Sequence, residues 1–472
     1  MIVLMTFVIF PVQANSAQKD WYGVDSMGTI VIGEDCPIEV KKEVLTFDIS
    51  EFPSNYYLEK EDYLAYSGKV TAEYTFYNPT DLTITATLAF PFGNRPDYYL
   101  SFDDGSDDYD ISKYDITING KAVERTIRYT WNNQNQFNIS TDLPKISDEY
   151  LETDLYKPST IVTKYSYDIN NLSYNGQVLG SFNAAFDWDG GEGQSIIWFP
   201  SQSGVHLQDD GDYRLSKWAR NGDSFEVYVI GTPLSTPLVW KCYKDGGVED
   251  REEISGSVSL KTTETMILED LFCKSWSEET GVLKVDWYNA SLNRLVEATD
   301  SNYHYITTYS SPVLSRNNLM RWYQYEITIE PKTMITNTVT APLYPDISAR
   351  YQPPVYQYTY LLSPASTWSD FKNLEIVINT PFYIIESSLE GFTKTEKGYE
   401  MSFEKLPEAE LIFTLCSDEH PIKEKTPYFN NVILWIVIII ISFIAVVVGI
   451  CVLIGIIVVT ILIVKKVKKN KK

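Results

Sequence analysis

The sequence predicts a mainly β chain: tandem β-sandwich-like modules around a mixed α+β middle region, followed by one C-terminal transmembrane helix. Three observations carry that prediction. Apolar residues alternate with Thr-rich polar ones in two distant stretches, turn residues punctuate a series of short β-prone runs, and the chain ends in a long apolar run without charge.

The chain opens with an apolar run, Ile2–Phe10, then Pro11 and the small-residue cleavage pattern Val12-Gln13-Ala14, which predicts a signal peptide over 1–17. An N-terminal sandwich is expected over 18–174. Within it Val70, Ala72, Tyr74 and Phe76 alternate with Thr71, Glu73 and Thr75. After Asn78-Pro79-Thr80-Asp81 the pattern resumes, with Leu82, Ile84, Ala86, Leu88 and Phe90 set against Thr83, Thr85 and Thr87. Pro fixes φ in that turn, while Asn and Asp bond nearby backbone, so two adjacent antiparallel strands are expected. Asn119-Gly120 predicts a tight hairpin turn after Tyr114–Ile118.

The mixed α+β middle region is expected over 175–315. Phe225–Ile230 and Leu238–Tyr243 read as strands. Ile267, Leu268, Leu271 and Phe272 share one helical face within Glu264–Trp276, and Asn289–Ala298 reads as a second helix. A second β-sandwich module follows over 316–416. There Tyr323, Tyr325, Ile327 and Ile329 alternate, Pro331 marks a turn, and Ile335, Val339, Ala341 and Leu343 alternate again. This repeats the Val70–Phe90 pattern and predicts two related modules. Short strands complete it at Leu374–Ile378, Tyr383–Ser387, Tyr399–Phe403 and Leu411–Leu415.

A polar stalk, 417–429, leads into a transmembrane helix over 430–464. The 33 residues from Val432 to Val464 hold no charge. As a helix they would run ~50 Å, against ~30 Å of hydrocarbon, which suits one tilted span. Trp435 stands where an outer interface belongs, and Lys465, Lys466, Lys468 and Lys469 open a basic tail over 465–472. By the positive-inside rule that tail is cytoplasmic. The expected location is therefore the cell membrane, single-pass type I, with an extracellular ectodomain and the lipid bilayer as a partner through 430–464.

Six of the 39 basic residues sit in the tail, so 33 remain against 63 acidic ones ahead of it. That balance repels nucleic acid and anionic lipid. Five cysteines in 472 residues do not make a disulfide scaffold. Cys242 and Cys273 bracket one compact segment and are the candidate pair.

Two acidic loops invite a calcium reading, since calcium takes oxygen ligands from carboxylates and carbonyls. FDDGSDDYD clusters Asp103, Asp104, Asp107, Asp108 and Asp110, and FDWDGGEGQ carries Asp187, Asp189 and Glu192. The second is the candidate calcium site, with solvated acidic loops as the plainer reading of both. No other cofactor is expected. His206, His304 and His420 are scattered, and no nucleophile elbow or HExxH motif occurs, so no catalytic residue is assigned. Trp131, Trp188, Trp198, Trp218 and Trp322 are candidate sugar-stacking platforms, or else core residues. The expected function is a binding or structural role at the cell surface, in adhesion or assembly with another envelope component. The alternatives are a glycan-binding protein or carbohydrate-active enzyme, and an accessory subunit of a membrane complex.

Phe76-Tyr77-Asn78-Pro79, Phe90-Pro91 and Ile118-Asn119-Gly120 stand in the order of the strand and turn motifs of the VIT-type domain (vault and inter-alpha-trypsin inhibitor family). Residues 67–167 resemble that domain, which implies a β-sandwich concerned with surface assembly. The Asp-x-Ser-x-Ser metal motif of the von Willebrand A domains that often accompany it is absent. The nearest stretch, Asp110-Ile111-Ser112-Lys113-Tyr114, lacks the second Ser. From Tyr356 onward (YQYTYLLSPASTW) the chain is similar to bacterial membrane-anchored surface proteins, a likeness that implies no particular activity.

Overall fold

In the computed structural model, strands Lys69–Tyr77 and Thr83–Gly93 do not pair with each other. The structure describes residues 13–24, 27, 30–31, 35–52, 68–93, 114–131, 137–178, 180–190, 195–246, 252–299, 305–306, 314, 319–343, 345–348 and 350–423. Lys69–Tyr77 lies between Glu39–Asp48 and Met334–Pro342, whereas Thr83–Gly93 lies between Ala17–Val24 and Leu319–Ile329. The expected hairpin is therefore an arch that carries the chain from one sheet to another.

Asn78 is the reason. It is fully buried, and its Nδ2 donates to the carbonyls of Leu82, Ile329 and Glu330 at 2.6, 2.9 and 3.2 Å. Its Oδ1 accepts from Thr80 N and Thr80 Oγ1. One side chain thus closes its own turn and binds the turn of the second copy, so the two repeats meet there. They pair strand for strand, Ile84 opposite Ile329 and Tyr77 opposite Met334. The expectation of tandem modules over 18–174 and 316–416 is corrected accordingly. The repeated alternation marks two halves of one sandwich.

A single apolar core fills that sandwich. A sheet of nine described strands has Glu39–Asp48, Lys69–Tyr77, Met334–Pro342 and Leu374–Asn379 at its centre. Its inward row includes Leu45, Phe47, Ala72, Tyr74, Phe76, Val339 and Ile376. Facing it are the sheet built on Thr83–Gly93 and Leu319–Ile329, and another built on Val355–Leu361 and Leu411–Cys416. The threonines stand on the opposite faces of their strands, where Thr85 Oγ1 meets Thr328 Oγ1 at 3.0 Å. Asn119 and Gly120 take positive φ of 50° and 75°, as the expected tight turn requires.

The middle region begins earlier than expected. Ile161–Tyr174 pairs with Ser224–Ile230 and Ser255–Ile267, so it belongs to a second, inserted sandwich. Its six-stranded sheet faces a four-stranded sheet of Gly204–Leu207, Tyr213–Ala219, Phe182–Trp188 and Trp240–Tyr243. Helix Leu268–Phe272 starts only after the long strand ending at Ile267, with Leu268, Leu271 and Phe272 buried as expected. Helix Lys284–Thr299 joins the two sandwiches. Tyr288, Leu292 and Leu295 pack on the inserted sheet, while Trp287 and Ala290 pack against Tyr129 and Leu319 of the main one. Between them Asp286 and Arg128, each 1% exposed, form a buried ion pair at 2.8 Å.

Residues 347–348, 350–355 and 416–423 belong to a separate compact unit. Of it, Tyr351–Gln352 pairs with Ile422–Lys423, and the Cys416 thiol donates to the Pro353 and Pro354 carbonyls. The expected transmembrane helix, Trp435 and the four tail lysines lie outside the described residues. Among the described residues no helix is long and apolar enough to cross a membrane. The leader expected over 1–17 lies outside them as far as residue 12. The last three residues of that expected leader, Asn15, Ser16 and Ala17, have no exposed surface.

Candidate functional site

Every residue of Phe182–Trp188 except Asp187 is buried, so both faces of this strand are covered. Phe182, Ala184, Phe186 and Trp188 point into the inserted core. By the strand's alternation Asn183, Ala185 and Asp187 point the other way. Register then builds an outer face in three rows. Tyr243, Asn183 and Trp218 stand side by side; next come Lys241, Ala185, Ser216 and Gly204; then Asp187, Arg214 and His206. Small residues make the floor of the middle row, and aromatic and charged side chains border it.

Trp218 is 48% exposed. It is held from the side by Gly246, where an added Cβ would fall 2.9 Å from the indole. Asn183, only 2% exposed, has no hydrogen-bond partner for its Oδ1. That carbonyl is covered, so it is a cost borne by the folded sheet, and the half-exposed indole is what this row presents to solvent. Arg214 donates to both Asp187 oxygens, at 2.8 and 3.2 Å, and its guanidinium lies 5.5 Å from the Tyr243 ring centre. Burial works against the Asp187 charge, yet the Arg214 hydrogen bonds and charge outweigh it and leave that carboxyl below its usual range.

The candidate calcium residues are placed as follows. Asp187 is committed to Arg214, Asp189 follows it on the exposed strand end, and Glu192 lies outside the described residues. The fold adds acidic neighbours that sequence spacing did not suggest. The Asp212 carboxyl is pushed up by burial and by the carboxylates of Asp210, Asp189 and Asp187. Among the described residues no group of three or more His, Cys, Asp or Glu side chains could hold a metal ion. The loop of Asp103 to Asp110 lies outside the described residues.

The expected Cys242–Cys273 disulfide is corrected. Both thiols are free. Cys242 lies in the inserted core, and Cys273 packs beside the two short helices in other clusters, so sequence proximity brought no spatial pairing. Burial pushes each thiol up to about 11. Of the five tryptophans, Trp188, Trp198 and Trp322 are core residues. Trp131 donates to Glu297 and stacks under Arg294, leaving Trp218 as the platform with a free flank. Asn183, Arg214, Lys241, Tyr243 and Gly246 escaped sequence reasoning, because nothing in their spacing shows that three separate strands align them.

No family model matches the chain, and no curated relative matches it. Among solved structures, one that aligns is a "putative nutrient binding protein" from Legionella pneumophila subsp. pneumophila str. Philadelphia 1. It is 10% identical over 86% of this chain and 71% of that one, with a TM-score of 0.26. At that score the likeness carries no argument about fold or function.

Proposed function

We propose that this chain is a single-pass surface protein anchored by Val432–Val464, with a binding role exercised by the outer face of its inserted four-stranded sheet. Trp218 carries the reading. Its large apolar ring is left half exposed and braced by Gly246 beside a floor of Ala185, Ser216 and Gly204, which suits contact with a partner. The role is adhesion or assembly with another envelope component, in keeping with the VIT-like turns of the main sandwich. We read the chain as a binder and assign it no reaction.

Cross-linking on intact cells, followed by purification of the full chain and mass spectrometry, tests this. The expected result is one envelope component joined through Lys241, which is exposed on the same face, and lost in Trp218→Ala. Capture that is unchanged in Trp218→Ala overturns the assignment of this face.

A glycan is the second reading, favoured by the half-exposed Trp218 ring. A pyranose offers an apolar face for that ring. Retardation of the full chain in gels containing purified envelope polysaccharide, abolished by Trp218→Ala, would select this reading. Equal mobility with and without polysaccharide would reject it.

A further inference from the structure

The segment Val12-Gln13-Ala14-Asn15-Ser16-Ala17 offers a peptidase two small-residue boundaries, after Ala14 and after Ala17. The fold treats them differently. Gln13–Ala14 is a two-residue strand laid parallel to Tyr360–Leu361. Beyond it, Asn15 N donates to the Leu361 carbonyl at 2.8 Å. Asn15 Nδ2 donates to Glu43 Oε2 at 3.1 Å, and Tyr74 OH donates to Asn15 Oδ1 at 3.1 Å. Ser16 N donates to Tyr74 OH, Ser16 Oγ meets Tyr325 OH at 3.1 Å, and Trp368 Nε1 donates to the Ser16 carbonyl. Ala17 pairs with Ala89. Removal of residues 15–17 would strip partners from four buried side chains of the main core.

Glu43 is the second observation. It is fully buried, its Oε1 has no hydrogen-bond partner, and among the described residues no cation pairs with it. Burial pushes its carboxyl up to about 8, against the Tyr74 and Asn15 hydrogen bonds, which pull it down. Among the described residues no positive group stands beside this buried carboxyl, and Asn15 already touches it through its side-chain amide.

We infer that export processing cuts between Ala14 and Asn15, and that the α-ammonium created there becomes the buried counter-charge of Glu43. The inference rests on the reading of the chain as exported. In the cut, a leader peptidase adds water across the Ala14–Asn15 peptide bond. Hydroxyl goes to the Ala14 carbonyl carbon, and the Asn15 nitrogen leaves as an amine that takes up a proton. The leader departs with Gln13 and Ala14, and Asn15-Ser16-Ala17 stays as part of the core.

The test is N-terminal mass spectrometry of the full chain purified from its membrane, with acylation of the α-amine in the native and denatured states. The expected result is a chain beginning at Asn15 whose α-amine resists acylation when folded and reacts when unfolded. In Glu43→Gln the folded chain should lose most of that protection. A chain beginning at Gln18 overturns the inference and leaves the export reading standing. An uncut chain overturns both. A chain beginning at Asn15 with a freely reactive folded amine overturns the counter-charge.

Discussion

The two sandwiches close in opposite ways. The main one is made from the two ends of the described chain: strands near residue 84 meet strands near residue 329, and polar groups such as Asn15, Glu43 and Asn78 are sealed inside it. The inserted one is made from strands between residues 161 and 306, and its ordered polar groups include an outward face bordered by Trp218 and Arg214. Long-range closure makes the main sandwich depend on a few buried polar contacts that hold distant segments in register. A locally built sandwich is free of that demand and can spend polar side chains on its surface. The join between the two, Arg128 on Asp286, is where the two regimes meet.

The largest expected effect comes from breaking that join. Arg128 donates to Asp286, Asp148, Gln324 and the Ser147 carbonyl, so Arg128→Ala strands a buried carboxylate and should cost about 3–5 kcal/mol in denaturant unfolding. A loss under 1 kcal/mol would mean that helix Lys284–Thr299 docks through its apolar stripe alone. Next is Glu43 in chain that retains residues 1–14. Its folded-state value, about 8, lies above the ordinary 4.5. The folded chain therefore holds that proton more tightly than the unfolded chain does. The stability this provides is complete below the unfolded value and drains as pH rises toward the folded one. Relative to Glu43→Gln, the parent should lose about 2–3 kcal/mol between about pH 5 and pH 7. Parallel pH profiles would remove Glu43 from the balance.

Asn78→Ala comes third. It takes the amide donor from the buried Ile329 carbonyl and one donor each from the Leu82 and Glu330 carbonyls, which keep Thr80 and Thr333, and should cost about 2 kcal/mol in thermal or chemical unfolding. The smallest stability effect belongs to the inserted face. Trp218→Ala should stay within about 0.5 kcal/mol of the parent. Gly246→Ala, which crowds the indole, should weaken partner binding about tenfold while the fold persists. A Trp218→Ala chain that unfolds readily would make the indole a structural prop and sharpen the contrast in the other direction.

Much of the architecture was legible in the residues. The alternation of Val70–Phe76 and of Tyr323–Ile329 placed each side chain on its correct face, and Asn119-Gly120 marked a turn that forms as read. The same alternation misled about neighbours, because Asn78-Pro79 looks alike whether the next strand folds back or crosses to another sheet. Strand Phe182–Trp188 hid its outward face, since Asn183 and Ala185 are covered as well as the inward row. Cys242 and Cys273 seemed a pair only because they are close in sequence. The candidate site was the least legible part, as its row Tyr243, Asn183 and Trp218 draws on three strands that the sequence separates by tens of residues.

By itself, the sequence determined the β character, the inward row of each strand, the main turns and an uncharged apolar stretch of membrane-spanning length. These follow from local rules: a period of two, the φ preferences of Pro, Gly and Asn, and the absence of charge. Only the tertiary structure decided which strands pair, that two repeats make one sandwich, that Asn15 to Ala17 belong to the core, and that Trp218 stands beside Asn183. A strand's backbone offers the same donors and acceptors to any neighbour. Its partner is therefore chosen by what the whole core can bury and satisfy.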